Sequence, residues 1–403
     1  MRRFACLALV LAACTPEAET ITLQRGVNTT LWLSWPSVSE MMSDPAILES
    51  YPDVRRDVTP AMYESLAAQG FDHIRMPIDP APLLAFGQGE RQDQLIDGIR
   101  IATQTALDAG LKVVVDLHPV PRGSDAGGVD RIVGEDWPDY VALVGRIAAM
   151  IDALPADRVA LEILNEPPFD CGAVYGDAPP RWPAMQAEAH AAARAAAPRT
   201  TIVLTGACWG QANALASLDP ALIPDDNVLW TFHSYEPFLF THQGAGWSDA
   251  PQKYIWDLPY PPSAVTDEIA AEVVAAAVER MAAAEGEADV ALIEKAVADY
   301  RALPETAVSY DVTRAVEWAE QHGIPRSRLY MGEFGALHTS GDRSLPREWF
   351  HAFLTDKRSA ADDAGIPWAV LTYAGGMGIA PADDPERRLA PETCAALGLP
   401  CAE

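Results

Sequence analysis

A chain of 403 residues is long enough to bury one large core or two average ones, and its 49% apolar content excludes a disordered protein. It carries 57 acidic against 29 basic residues, only four of them lysine, for a formal charge of −28. Such a surface repels phosphates. It excludes a nucleic-acid partner and predicts a solvated, salt-tolerant exterior.

The N-terminus reads as an export signal. Arg2 and Arg3 precede a short apolar stretch, residues 4–11, which is too short to span a bilayer. Leu11-Ala12-Ala13-Cys14 is similar to a bacterial lipobox, in which Cys14 becomes the lipidated first residue. The expected organisation is a signal peptide at 1–13, a tether at 14–20 and one domain at 21–403. The expected location is the cell envelope, with a lipid anchor as the sole membrane contact. If Cys14 is incidental, the protein is secreted instead.

From residue 21, strands and helices alternate. Residues 21–28 read as a strand ending in Arg25-Gly26-Val27-Asn28, and 58–69 as a helix closed by Gly70. A second strand, 71–78, carries Arg75 near its end, and a helix at 91–109 precedes Gly110. The β-branched run 111–118 ends on His118, followed by a helix at 137–154. Strand 158–165 ends on Asn165, with Glu166 and two prolines beyond that cannot continue a ladder. Next come a helix at 182–197, a strand at 201–205, a short helix at 211–217 and a strand at 228–233. Strand 328–332 runs into Glu333, and strand 367–372 closes the series, with helices at 312–323 and 347–364 before these two.

Eight β-then-α units predict a (β/α)8 TIM barrel, an α/β fold whose strands read as near-continuous apolar runs. An open doubly wound sheet fits less well, because no Gly-rich phosphate loop follows the first strand. Residues 239–308 form an insertion after strand six. Its aromatic stretch (Phe240, Trp247, Tyr254, Trp256 and Tyr260, with Phe238 just before it) is expected to face substrate. Its two Ala-rich helices, 266–285 and 288–302, are expected to pack structurally.

Beyond Cys14, four cysteines remain in an exported chain, and an even number predicts disulfides. The expected pairs are Cys171–Cys208, each following a strand, and Cys394–Cys401, which bracket a short C-terminal loop. No CxxC or clustered Cys/His spacing is present, so no metal site is expected.

Catalytic residues of such barrels lie at the C-terminal ends of the strands. Arg75, His118, Asn165, Glu166, His233, Tyr235 and Glu333 fall at those positions on five strands. One alone would read as a satisfied structural group; seven converge on one mouth. Two glutamates on separate strand tips suggest a pair of reacting carboxylates.

Asn165-Glu166-Pro167 and Gly332-Glu333-Phe334-Gly335 resemble glycoside hydrolase family 5, the cellulases and related β-glycanases. Arg25-Gly26-Val27-Asn28, Ile74-Arg75-Met76-Pro77, Asp116-Leu117-His118 and His233-Ser234-Tyr235 match the same pattern. The resemblance implies a retaining mechanism, with Glu166 as acid/base and Glu333 as nucleophile about 5–5.5 Å apart. Glu166 must be protonated to donate, while Glu333 must be ionised. Arg75 and the Tyr235 hydroxyl are suited to hold Glu333, Asn165 to bind the sugar 2-hydroxyl, and His118 and His233 to position sugar and acid. No cofactor is implied.

Where the family places a tryptophan under the sugar, this chain has Tyr373. Trp209, just after strand five, is expected to touch substrate, while Trp32, Trp247 and Trp256 divide evenly between packing and contact. The expected partner is a β-glycan substrate, and the expected state a monomer. The leading expectation is an endo-β-1,4-glucanase. A β-mannanase or a β-1,3- or mixed-linkage glucanase is the alternative within the class. A non-catalytic carbohydrate-binding lipoprotein would lack one carboxylate, and a two-lobed solute receptor conflicts with the eight-unit pattern.

Overall fold

The computed structural model describes residues 20–29, 59–119, 128–381 and 388–401. The segment expected to be a signal peptide, Cys14, most of the expected tether and Trp32 lie outside the described residues.

Eight parallel strands close into a barrel: β1 (Arg25–Asn28), β2 (His73–Ile78), β3 (Lys112–Leu117), β4 (Val159–Glu162), β5 (Thr201–Thr205), β6 (Val228–His233), β7 (Leu329–Phe334) and β8 (Trp368–Val370). Each pairs with its sequence neighbours, and β1 closes on β8. Only Arg25 and Lys112, at strand starts, are not fully buried. Helices on the outside and packed side chains on the inside bury both faces, so these strands show no polar alternation.

Inside the barrel, Val114, Ala160, Val203, Leu229, Tyr330 and Ala369 fill a layer together with Ile21 and Leu23. The first strand is therefore shorter than its apolar pattern predicts. Ile21 and Leu23 plug the N-terminal mouth, and the Ile21 N–H donates to Thr201 Oγ1 (2.9 Å).

The outer ring comprises α1 (Pro60–Ala68), α2 (Glu90–Asp108), α3 (Trp137–Asp152), α4 (Trp182–Ala196), α5 (Ala212–Leu215), α6 (Tyr310–His322), α7 (Arg347–Ala364) and α8 (Pro391–Leu397). In α3, Trp137, Tyr140, Val144, Ile147, Ala148 and Ile151 recur at helical spacing and are buried against the sheet.

The insertion differs from expectation. Phe240, Tyr254, Trp256 and Tyr260 are buried and do not face a substrate cleft. The Phe240 ring lies 5.1 Å from Tyr260 and 5.6 Å from Phe353 of α7, and the Arg343 guanidinium sits 4.8 Å above Trp256. Rings this large gain more from leaving water against a helix than from a solvated loop. Only Phe238 and Trp247 of this set are exposed. The two insertion helices, Asp267–Glu285 and Val290–Arg301, pack under this segment. There the Tyr300 hydroxyl donates to the Pro259 carbonyl (2.6 Å) and Arg280 to the Tyr254 carbonyl (3.0 Å).

Both expected cystine pairs are bonded. The Cα atoms are 4.8 Å apart for Cys171–Cys208 and 5.9 Å apart for Cys394–Cys401, within the usual range. Among the described residues, no helix is long and apolar enough to cross a membrane.

Candidate active site

Register brings the polar strand tips together. Asn28 of β1 lies opposite Arg75 of β2, and Asp116 of β3 opposite Glu162 of β4. On β6 and β7 the pairing shifts by one residue, so that His233 faces Glu333 and Gly332 is the extra residue. A bulge of this kind re-aims a side chain at the rim of a barrel. It requires glycine, because a Cβ at 332 would come within 2.5 Å of Thr231 Oγ1. Three residues on, a Cβ at Gly335 would overlap the Leu371 carbonyl oxygen at 1.9 Å. Asn28 Nδ2 donates to the Gly332 carbonyl (2.9 Å) and fixes the bulge from the far side.

Arg75 is the buried centre of the site. Its Nε and Nη2 donate to the two carboxylate oxygens of Glu162, both at 2.8 Å. Nη1 donates to Glu333 Oε1 (2.6 Å) and Asn28 Oδ1 (3.0 Å). Nη2 also donates to Asn165 Oδ1 (2.7 Å) and lies 2.9 Å from Asp116 Oδ2. Three buried carboxylates around one guanidinium hold it charged, overcoming the burial that disfavours the cation.

Glu333 receives the nearest support. Its second oxygen, Oε2, accepts from the Tyr235 hydroxyl (2.7 Å) and lies 3.4 Å from His233 Nδ1. Burial alone would raise its carboxyl. The charges of His233, Arg75 and His118 and the Tyr235 hydrogen bond outweigh that and bring it down to about 2. Glu333 is therefore ionised and desolvated, the condition of a nucleophile. Burial pushes the Tyr235 phenol well above its usual value, and the neighbouring Glu333 and Glu166 carboxylates add to this, so it stays a donor.

Glu166 occupies a left-handed backbone conformation (φ 41°), which few non-glycine residues adopt and which marks functional positions. Its side chain is 24% exposed, against 4% for Glu333, and Oε1 lies 2.6 Å from His233 Nδ1. Burial disfavours the imidazolium of His233, but the adjacent Glu333 and Glu166 carboxylates raise its pKa. A carboxylate oxygen of Glu166, one of Glu333 and a ring nitrogen of His233 lie within 4.8 Å of one another.

Asn165 and His118 form a second arm. Arg75 fixes the amide oxygen of Asn165, so its nitrogen faces His118 Nε2 at 3.2 Å. One amide hydrogen is left for a ligand. His118 Nδ1 lies 2.8 Å from Asp116 Oδ2; burial lowers its pKa, and Asp116 raises it by more. Behind Tyr235, buried Lys357 donates to Ser234 Oγ (2.8 Å), which donates to Asp311 (3.0 Å). Burial lowers this lysine to about 8.

The structure thus gathers Arg75, His118, Asn165, Glu166, His233, Tyr235 and Glu333 around one point. Trp209 lies at the rim, 43% exposed, with its backbone N–H donating to the Pro167 carbonyl (3.1 Å). Tyr373 differs from expectation. It is 2% exposed and packs in the core, leaving almost no ring face for a sugar. Its backbone N–H donates to the Asn28 carbonyl (3.0 Å), which ties this segment to the end of β1.

Asn28, Asp116 and Glu162 are parts of the site to which sequence reasoning assigned no role. The signal was present, since acidic residues inside unbroken apolar strands must find a buried partner.

A family model described as cellulase (glycosyl hydrolase family 5) matches residues 34–373. Endoglucanase 3 of Fibrobacter succinogenes is 24% identical over 377 residues, which are 89% of this chain and 50% of that protein. Endoglucanase C of Acetivibrio thermocellus is 26% identical over 246 residues, 60% of this chain and 66% of that protein. The chain therefore spans about half to two-thirds of the length of these relatives. Among solved structures, an endoglucanase of Thermotoga maritima superposes with a TM-score of 0.61 at 20% identity, covering 93% of this chain and 96% of that one. The cellulose synthase subunit Z of Clostridioides difficile superposes with a TM-score of 0.64 at 18% identity, covering 93% and 99%. These superpositions establish the shared barrel. With the family match extending over most of its length and across both glutamates, the chain belongs to glycosyl hydrolase family 5.

Proposed function

We propose that this protein is a retaining endo-β-1,4-glucanase. The observation that carries the reading is the approach of Glu166 and Glu333 oxygens to within 4.8 Å, with Glu333 held ionised. Retaining glycosidases keep their carboxyls about 5–5.5 Å apart, and inverting ones about 6.5–9.5 Å apart to admit a water. Glu333 attacks the anomeric carbon while Glu166 passes its proton to the departing glycosidic oxygen. In the second half, Glu166 takes a proton from water, whose oxygen displaces Glu333 from the sugar. In this reading the remaining amide hydrogen of Asn165 donates to the sugar 2-hydroxyl.

The test is a matched pair of variants. Glu333→Ala should abolish hydrolysis of soluble β-glucan and of aryl glycosides without unfolding the chain. Glu166→Ala should spare the first step on an aryl glycoside with a good leaving group, because that group departs without a proton. Full activity in Glu333→Ala would overturn the reading.

The glucan preference rests on relatives that are themselves endoglucanases. The Thermotoga maritima enzyme has been solved with cellobiose and with mannotriose, so mannan belongs in the substrate panel. Export and lipid attachment at Cys14 are part of the same proposal, supported by Arg2, Arg3 and the 11–14 motif. Radiolabelled palmitate should enter the wild type and not Cys14→Ser.

A further inference from the structure

One row of side chains at the barrel mouth takes no part in the chemistry above. Tyr175, which ends the short helix Cys171–Val174, is 60% exposed, and Tyr310, the first residue of α6, is 46% exposed. They are joined through the loop after β5. The Tyr175 hydroxyl donates to Gln211 Oε1, and Asn213 Nδ2 donates to the Tyr175 hydroxyl oxygen (3.4 Å). The Tyr310 hydroxyl donates to Asn213 Oδ1 (3.0 Å). Three separate segments of chain therefore hold two large rings in a fixed, solvent-facing arrangement.

The row begins at the proposed acid. Gln211 pairs with His233 in a parallel bridge, and a Cβ on Gly210 would sit 3.5 Å from Glu166 Cγ. The Cys171–Cys208 disulfide ties the Tyr175 segment to the turn before Gly210. These segments come from the loops after β4 and β5 and from the start of α6. Asn28 and Arg75 stand on β1 and β2, across the barrel. Glu166 gives its proton to the departing oxygen, so the departing sugar extends on the Glu166 side. Rings interleaved with neutral amides suit a neutral, hydroxyl-rich ligand with apolar faces.

We propose that Tyr175, Gln211, Asn213 and Tyr310 form a binding ridge for the sugar units on the leaving-group side of a β-glucan. The proposal rests on the hydrolase reading and extends it to four residues that the reaction itself does not use.

The test compares cellohexaose, whose leaving group is a sugar chain, with an aryl β-cellobioside, whose leaving group is an aryl ring. Tyr175→Ala and Tyr310→Ala should each lower the ratio of kcat/KM on cellohexaose to that on the aryl substrate about tenfold. Tyr175→Phe, which keeps the ring, should recover most of that ratio. In a Glu333→Gln background, calorimetric affinity for cellohexaose should fall with each alanine. An unchanged ratio in both alanine variants overturns the ridge. If the wild type cleaves neither substrate, the hydrolase reading fails and calorimetry alone decides. Weakened cellohexaose binding in the alanine variants then upholds the ridge, and unaltered or absent binding overturns it.

Discussion

Arg75 Nη1 donates to Glu333 Oε1 across 2.6 Å, although the two residues lie 258 positions apart in the chain. The same guanidinium contacts Glu162, Asp116, Asn28 and Asn165. Removing it leaves three buried carboxylates without their cation. Arg75→Met should destabilise the fold by about 3–5 kcal/mol, read as a shift of the urea midpoint. Arg75→Lys should recover little, because an ammonium cannot fork onto Glu162 and reach Glu333 together. Wild-type stability in either variant would remove Arg75 from the centre of this network.

Tyr235 gives a cleaner probe of the proposed nucleophile, since Tyr235→Phe deletes one hydroxyl and leaves the ring. The lost hydrogen bond to the Glu333 carboxylate should lower kcat roughly 10–100-fold, the range for a bond to a charged group. The Glu333 carboxyl should rise from about 2. The acid limb of kcat/KM should then move to higher pH, which a pH–rate profile resolves. A fall in kcat with an unmoved limb would place the role of Tyr235 elsewhere.

Stability against pH follows from the same shift. The Glu333 carboxyl is lowered in the folded state from an ordinary 4.5 to about 2. Its contribution is therefore present above the unfolded value and is lost as pH falls through about 2, amounting to roughly 3 kcal/mol. The raised pKa values of His118 and His233 act with the opposite sign. Their contribution is full below the unfolded histidine value and is lost as pH rises through the higher folded value. Glu333→Gln should flatten the decline of unfolding free energy between pH 5 and 2. An identical slope in wild type and variant would refute the assignment.

The Cys171–Cys208 bond closes a segment with a sequence separation of 37. In the chain-entropy account, a loop of that length stabilises the fold by about 4 kcal/mol. The double variant Cys171→Ser/Cys208→Ser should lose stability on that order, seen in calorimetric melting. Cellohexaose turnover should suffer more than aryl-cellobioside turnover, because the bond braces the Tyr175 segment.

The barrel was legible because its strands are unbroken apolar runs ending in punctuated tips, and Asn165-Glu166-Pro167 is such a tip. Glu166, Glu333, Arg75, His118, His233 and Tyr235 share that position, and their convergence followed once the strands were assigned. The roles of Asp116 and Glu162 did not follow. Each is one acid in an apolar strand, and the register that points both at Arg75 is a property of the closed sheet. Phe240, Tyr254, Trp256 and Tyr260 misled for the opposite reason. An aromatic loop reads alike whether its rings face a ligand or a helix, and only the docking of α7 and the insertion decides. Tyr373 is a similar case: its place in the chain suggested a sugar platform, and the packing of the closed barrel buries its ring.

Gly332 and Gly335 flank the proposed nucleophile, and each abuts a neighbouring segment too closely to admit a side chain. Glu333 is thus held by a tightly packed strand and by the buried side chains of Arg75 and Tyr235, whereas Tyr175, Asn213 and Tyr310 hold one another from separate segments at the rim. The reacting pair and the proposed ridge therefore use different side chains, although Gln211 bridges His233 through the main chain. Substitution along the rim can retune which glycan is accepted while the bond-breaking apparatus stays in place. A search for variants with altered substrate choice should begin at residues 175, 211, 213 and 310 and leave 332–335 untouched.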